Sequence, residues 1–329
     1  MHSEFRKTRS PYGFPFLDPR ATENLYAMIE KIKKLLIDEN YRGVIPGTLD
    51  FPETFQEYET FDAFHSRDSH GEDLYLRSDA TAQIIKGFAN FQEHSHEKIN
   101  EYKYFYVLPV FRDARKSYPR LREIYQVGAE NIGMDSDMAM PELVYLADKM
   151  MKQTIGKETR FIIGDVRVLH YISEYSSSIK IKDMILNRDV PSLSKEFGEL
   201  GWDLSMVNQM WSVMLYAPEL LEWKERWNFI KSKLNNKLHQ AFMNEIERLS
   251  APVQKIHADI EKKGVNISWE PLLVRNVEYY TGFIFEGYVE GLSVAPLRGG
   301  SYDNLVGKYS RRDMTACGFA LDMSSLILL

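Results

Sequence analysis

The chain has 329 residues, 44% hydrophobic and 27% charged, with a formal net charge of −6. That composition is ordinary for a soluble globular protein and supplies a large core. It excludes a transmembrane span, because no apolar run approaches the roughly 20 residues a bilayer requires.

The start, Met1 to Arg9, is basic, but no apolar stretch follows, so a secretory signal is not expected. The acidic balance gives no global attraction to phosphate backbones, which leaves only local basic patches as nucleic-acid candidates. Cys317 is the single cysteine, so no intramolecular disulfide can form, which fits a reducing cytosol and a cytoplasmic location. Its apolar surroundings, Ala316 to Phe319, suit a buried structural thiol.

In chain order, residues 18–40 predict an amphipathic helix. Leu25, Met28, Ile29, Ile32, Leu35 and Leu36 share one face, and Asp18 with Pro19 forms a start signal. Asn40 to Phe51 switches to a short strand-and-turn pattern around Pro46 and Gly47. Leu76 to Gln83 precedes an apolar helical run. There Asp79 or Thr81 either caps the helix or offers an anionic group to a ligand ammonium. His94 and His96 lie in a polar stretch without neighbouring cysteine or paired carboxylates, so no metal is expected.

Tyr102 to Arg112 and Glu123 to Gly133 predict two strands of an antiparallel hairpin, joined by a charged loop. Along the second strand, Ile124, Gln126, Gly128 and Glu130 share a face opposite Tyr125, Val127 and Ala129. An amide, a glycine and a carboxylate in succession suit either a solvated sheet face or a ligand pocket. In the pocket reading, Gly128 leaves floor space for a small ligand. Arg112 follows Phe111 and apolar strand, which favours a binding role, whereas Arg115 and Lys116 read as solvated loop.

Pro141 is placed to open the next helix, and a short strand is expected at 160–164. From about 166 to 262 the pattern is almost wholly helical, with Trp202, Trp211, Trp223 and Trp227 as core filler. Strand character returns from Asn266 to Val289. These elements predict an α+β fold with a helical insertion.

Four segments then carry a resemblance. Leu76 to Thr81, Val110 to Gly133, Arg275 to Tyr280 and Gly299 to Asp303 resemble, in order, segments of histidyl-tRNA synthetases. The last two look like that family's Arg-Gly-Leu-Asp-Tyr-Tyr and Gly-Gly-Arg-Tyr-Asp signatures. The resemblance implies a class II synthetase-like antiparallel sheet flanked by helices, and a dimer formed through the first helix, strand and proline. It also implies that Asp79 and Thr81 face a histidine α-amino group, while Gln126 and Glu130 hold the amino acid. Tyr280 and Tyr302 would contact the imidazole, with Tyr279 beside them and Gly299 and Gly300 giving space. Arg275 and Arg112 would match the arginines that assist activation and grip the ATP α-phosphate. Arg275 and Tyr280 can act together only if a bulge or turn lies between them.

The departures from the family pattern bear on function. Phe111-Arg112-Asp113-Ala114 lacks the glutamate of the second motif. In the third, Asp322 replaces a glycine and Ser325 the arginine that clamps the triphosphate. Ser301 replaces the signature arginine, and Asp79 is one methylene shorter than the usual glutamate. Gly318 to Leu326, which resembles the family's closing motif, ends three residues before Leu329, which leaves no room for an anticodon-binding domain, so 1–329 is expected to be one synthetase-like body.

These features resemble the histidyl-tRNA synthetase-like regulatory subunits of ATP phosphoribosyltransferase. That resemblance implies a non-catalytic chain without cofactor, required by a short-form catalytic subunit for the first step of histidine biosynthesis. It further implies a hetero-octamer of four and four chains, with histidine as effector. The alternative is a truncated histidyl-tRNA synthetase or another amino-acid activating paralogue. A third, an RNA-binding relic using Arg115, Lys116, Arg120 and Arg122, gains nothing from net charge, and tRNA is not an expected partner.

Overall fold

The computed structural model describes residues 10–58, 63–94, 101–113, 121–216, 219–273, 279–310 and 312–327. Helix α1 (Pro19–Asp38) begins where the Asp18 carboxylate accepts the Ala21 N–H at 2.8 Å. It buries Leu25, Ile29, Ile32, Leu35 and Leu36, leaving Met28 partly covered. Short pieces follow: β1 (Arg42–Gly43), β2 (Leu49–Asp50), a 3-10 turn (Pro52–Tyr58), β3 (His65–Arg67) and β4 (Asp73–Leu76). Strands β2, β4 and β3 make a small sheet. Buried Arg77 fastens it to the rest, donating to the carbonyls of Pro109, Pro46 and Gly47 at 3.0, 3.0 and 2.7 Å.

Helix α2 (Thr81–His94) leads to the predicted hairpin, β5 (Tyr102–Phe111) and β6 (Glu123–Ile132), paired antiparallel from Tyr102 opposite Ile132 to Phe111 opposite Glu123. Helix α3 (Ser136–Ile155) starts earlier than expected, and Pro141 lies inside it. The Asp135 carboxylate caps it, accepting the Asp137 and Met138 N–H groups at 3.0 and 3.3 Å. Buried Ser136, Ala139 and Met140 extend the apolar stripe a turn upstream, so packing carries the helix through the proline.

After β7 (Thr159–Asp165) come α4 (Val166–Ser176), α5 (Ile181–Leu186), α6 (Val190–Glu199), α7 (Leu204–Leu215), α8 (Leu220–Lys233) and α9 (Lys237–Lys262). All the tryptophans read as filler are buried. The single strand expected from 266 to 289 is instead two, β8 (Ile267–Trp269) and β9 (Phe283–Val289). They flank β7 on opposite sides, β8 parallel and β9 antiparallel. Strand β10 (Leu297–Ser301), α10 (Asp303–Tyr309), β11 (Ala316–Asp322) and α11 (Met323–Leu326) complete the chain.

The main sheet has eight strands in the order β1-β5-β6-β11-β10-β9-β7-β8, antiparallel except at its two edges. One face carries Val127, Ala129, Phe285, Leu297 and Phe319 into a core shared with α1, α3 and α9. The opposite face meets α2 and α10 through Ile85, Phe88, Tyr302, Leu305 and Val306. This is the α+β architecture the sequence pattern implies. Among the described residues no helix is long and apolar enough to cross a membrane.

Candidate functional site

Alternation on β6 sends Val127 and Ala129 into the helix-packed core, which leaves Gln126, Gly128 and Glu130 on the other face. Register then sets Glu130 between Tyr104 on β5 and Gly318 on β11, and Gly318 opposite Gly300 on β10. A Cβ at Gly318 would overlap the Glu130 carboxyl and lie 2.6 Å from the Ala129 carbonyl. Bare backbone there is what lets the carboxyl lie across β11. Glu130 is 1% exposed; one carboxyl oxygen accepts the Thr81 hydroxyl at 2.8 Å and the other the Tyr302 hydroxyl. Burial pushes its carboxyl up to about 8; the two hydroxyls oppose that rise and Asp79 adds to it.

Asp79 takes the helix-end role offered by the sequence, its carboxylate accepting the Thr81 N–H at 2.8 Å. The same carboxylate lies 3.7 Å from the Arg112 guanidinium, and Arg112 Nε donates to the Ser78 carbonyl at 3.0 Å. Thr81 therefore joins the two acids, through its amide to Asp79 and its hydroxyl to Glu130. Arg112, from beyond the end of β5, stands as the cation of the group.

Tyr302 is buried and packs edge-to-face against Tyr279, with ring centroids 5.8 Å apart. Tyr280 sits in the turn before β9, its ring 4.7 Å from that of Tyr279. A Cβ at Gly300 would come within 2.7 Å of the Tyr280 ring, so this glycine makes room for a tyrosine of the pocket.

Two expectations about glycines change. The space above Gly128 is not open floor: the Tyr106 ring fills it, and a Cβ there would overlap that ring. Gly299 points to the helix-packed face, where a Cβ would lie 2.6 Å from Phe285, because adjacent residues on β10 alternate sides. It gives no space on the Glu130 side. Arg275 lies outside the described residues, as do Ala114, Arg115, Lys116, Arg120 and His96, so their expected roles have no structural account.

Sequence reading missed Tyr106 and Gly318. The signal for Tyr106 was present, since Tyr102, Tyr104 and Tyr106 alternate along β5 toward the face of Glu130. Gly318 carried no such signal, because its importance arises only from register across β11 and β6.

The third-motif departures acquire a local role. Asp322 caps α11, accepting the Ser325 N–H at 3.0 Å and the Ser325 hydroxyl at 2.6 Å. The two substituted positions thus satisfy each other. Ser301 is buried in β10, and Asp303 beside it accepts from Ser136, Thr281 and the Ala316 amide at 2.7, 3.2 and 3.0 Å. Cys317 is fully buried, and burial pushes its thiol well up, consistent with a structural role.

Two carboxyl groups and a guanidinium, ringed by tyrosines and a carboxamide, suit a small zwitterion with a further hydrogen-bonding group. Sheet, hairpin and pocket together define a class II aminoacyl-tRNA synthetase-like body. The family description "Histidyl-tRNA synthetase" matches residues 13–326, and the chain belongs to that family. It is 26% identical over 329 aligned positions to an ATP phosphoribosyltransferase regulatory subunit of Leptospira interrogans, covering 96% of this chain and 92% of that one. It is 27% identical over 307 positions to a histidine–tRNA ligase of Archaeoglobus fulgidus, covering 90% and 70%. A solved Bacillus halodurans structure, described as an ATP phosphoribosyltransferase regulatory subunit/histidyl-tRNA synthetase, shares the fold. Its TM-score is 0.79 at 19% identity, covering 98% of this chain and 83% of that one.

Proposed function

We propose that the chain is a non-catalytic regulatory subunit of ATP phosphoribosyltransferase, serving the first step of histidine biosynthesis and binding histidine as effector. The observation that carries this reading is the Asp322–Ser325 pair. At the position where the family's arginine clamps triphosphate, this chain has a self-satisfied helix cap with a carboxylate. The acids and tyrosines of the amino-acid side persist beside it. Relatives bearing the regulatory-subunit name over nearly the whole length support the same reading.

In this proposal histidine occupies the pocket of Asp79, Thr81, Arg112, Gln126, Glu130, Tyr279, Tyr280 and Tyr302, with Arg275 a further candidate by resemblance. Glycosyl transfer resides in a short-form catalytic partner. The two chains assemble in the cytoplasm as a hetero-octamer of four and four, built on class II-like dimers. Feedback requires histidine to bind two assembly states with different affinity, since equal affinity transmits nothing.

The test is co-purification with a short phosphoribosyltransferase, then partner activity with and without this chain and across a histidine titration. Activity that neither requires the chain nor responds to histidine in its presence refutes the reading. The similarity to histidine–tRNA ligases supports a second reading, an amino-acid activating enzyme. Histidine-dependent exchange of pyrophosphate into ATP by the purified chain would establish that one instead.

A further inference from the structure

Tyr106 stands out among the buried polar groups. It is 1% exposed, its ring lies against Gly128, and its hydroxyl has no hydrogen-bond partner among the described residues. Glu130 lies on the same sheet face, opposite the neighbouring Tyr104, and Thr81 joins it to Asp79, whose carboxylate is 3.7 Å from the Arg112 guanidinium. One register step along the same face, the buried Gln126 Oε1 is also without a partner. Buried polar atoms are almost always paired, and leaving one unpaired is costly. Two orphans on the sheet face that carries Glu130 fit a ligand that completes them.

The polarity of that ligand follows from the atoms left open. Gln126 Oε1 can only accept, the two carboxyls are acceptors when ionised, and a phenol oxygen accepts readily. The floor of the pocket is therefore rich in acceptors, with the Arg112 guanidinium held beside Asp79. We propose that Tyr106 is a ligand-contacting residue whose hydroxyl meets the N–H-bearing, cationic end of the bound amino acid, beside Asp79 and Glu130. This rests on the histidine-pocket reading above and adds a specificity-determining contact to it.

Tyr106→Phe isolates the contact, because the ring that fills the space over Gly128 is kept and only the hydroxyl is removed. Calorimetric titration of the full chain with L-histidine should show binding weakened about tenfold, the size of one hydrogen bond to a charged group. The melting temperature of the unliganded variant should stay level or rise, since an unpaired buried hydroxyl has gone. The same loss should be seen with histidinol, which keeps the amine and imidazole but lacks the carboxylate. Equal histidine affinity in wild type and variant overturns the assignment, as does a fall in unliganded stability that accounts for the loss. A penalty seen with histidine and absent with histidinol would assign the hydroxyl to the carboxylate end and overturn the polarity. No histidine binding by the wild-type chain would refute the pocket reading itself, a result distinct from all of these.

Discussion

Glu130 makes the clearest claim at the scale of a single residue. Its carboxyl, raised by burial to about 8 from an ordinary 4.5, holds its proton in the folded chain at pH values where the unfolded chain has lost it. Folding therefore takes up a proton between those values. The contribution of this residue is full below about pH 4.5 and is lost as pH rises toward 8. Glu130→Gln is neutral at every pH and keeps the shape, so its urea-unfolding free energy should fall less steeply over that window than wild type's. Parallel curves would show that Glu130 ionises normally. The wild-type pocket should also release protons on binding a cationic ligand near neutrality, seen as a buffer-dependent binding enthalpy that shrinks in Glu130→Gln. A polar face on β6 was legible from alternation, but that Glu130 touches Thr81 and Tyr302 was not. Those partners lie 49 and 172 positions away in the chain.

Among elements, β11 and α11 show how neighbours decide what a residue does. Gly318→Ala would press a methyl group against the Glu130 carboxyl and the Ala129 carbonyl. Overpacking of this kind costs roughly 1–3 kcal/mol, and denaturant titration should show that loss together with weakened histidine binding. A variant as stable as wild type would mean the strands can part at no cost. Asp322→Ala removes the side-chain acceptor at the start of α11, a loss of about 1 kcal/mol for a helix cap. The same measurement checks it. The sequence marked Asp322 and Ser325 only as departures from a pattern; the structure pairs them. Pro141 misled in the opposite sense, because the Asp135 cap and the buried stripe through Ala139 and Met140 outweigh its preference for a first turn.

At the scale of the whole molecule, the helices from α4 to α9 do not form a separate core. Trp223 stacks on Trp227 at 5.1 Å and meets Trp269 of β8 edge-on at 6.1 Å. The same cluster continues through Phe161 and Phe285 to Val127 beneath the pocket strand. Arg188 adds a polar tie, donating to Glu270 just after β8 at 2.6 Å. Trp223→Ala should therefore lower global stability by roughly 3–5 kcal/mol, as large core truncations do. Unfolding followed by tryptophan fluorescence and by far-ultraviolet circular dichroism should coincide. Two separated transitions would show that the helical stretch folds on its own.

By itself the sequence determined element types, the helical stretch from 166 to 262, the buried tryptophans and the polar face of β6. Each is written in local periodicity or in side-chain chemistry, which need no knowledge of partners. Only the tertiary structure decided that the 266–289 stretch splits around β7, that Gly299 faces the core, and that Tyr106 rather than open space covers Gly128. Strand order and register bring together residues far apart in the chain, and no local pattern encodes which backbone will lie beside which.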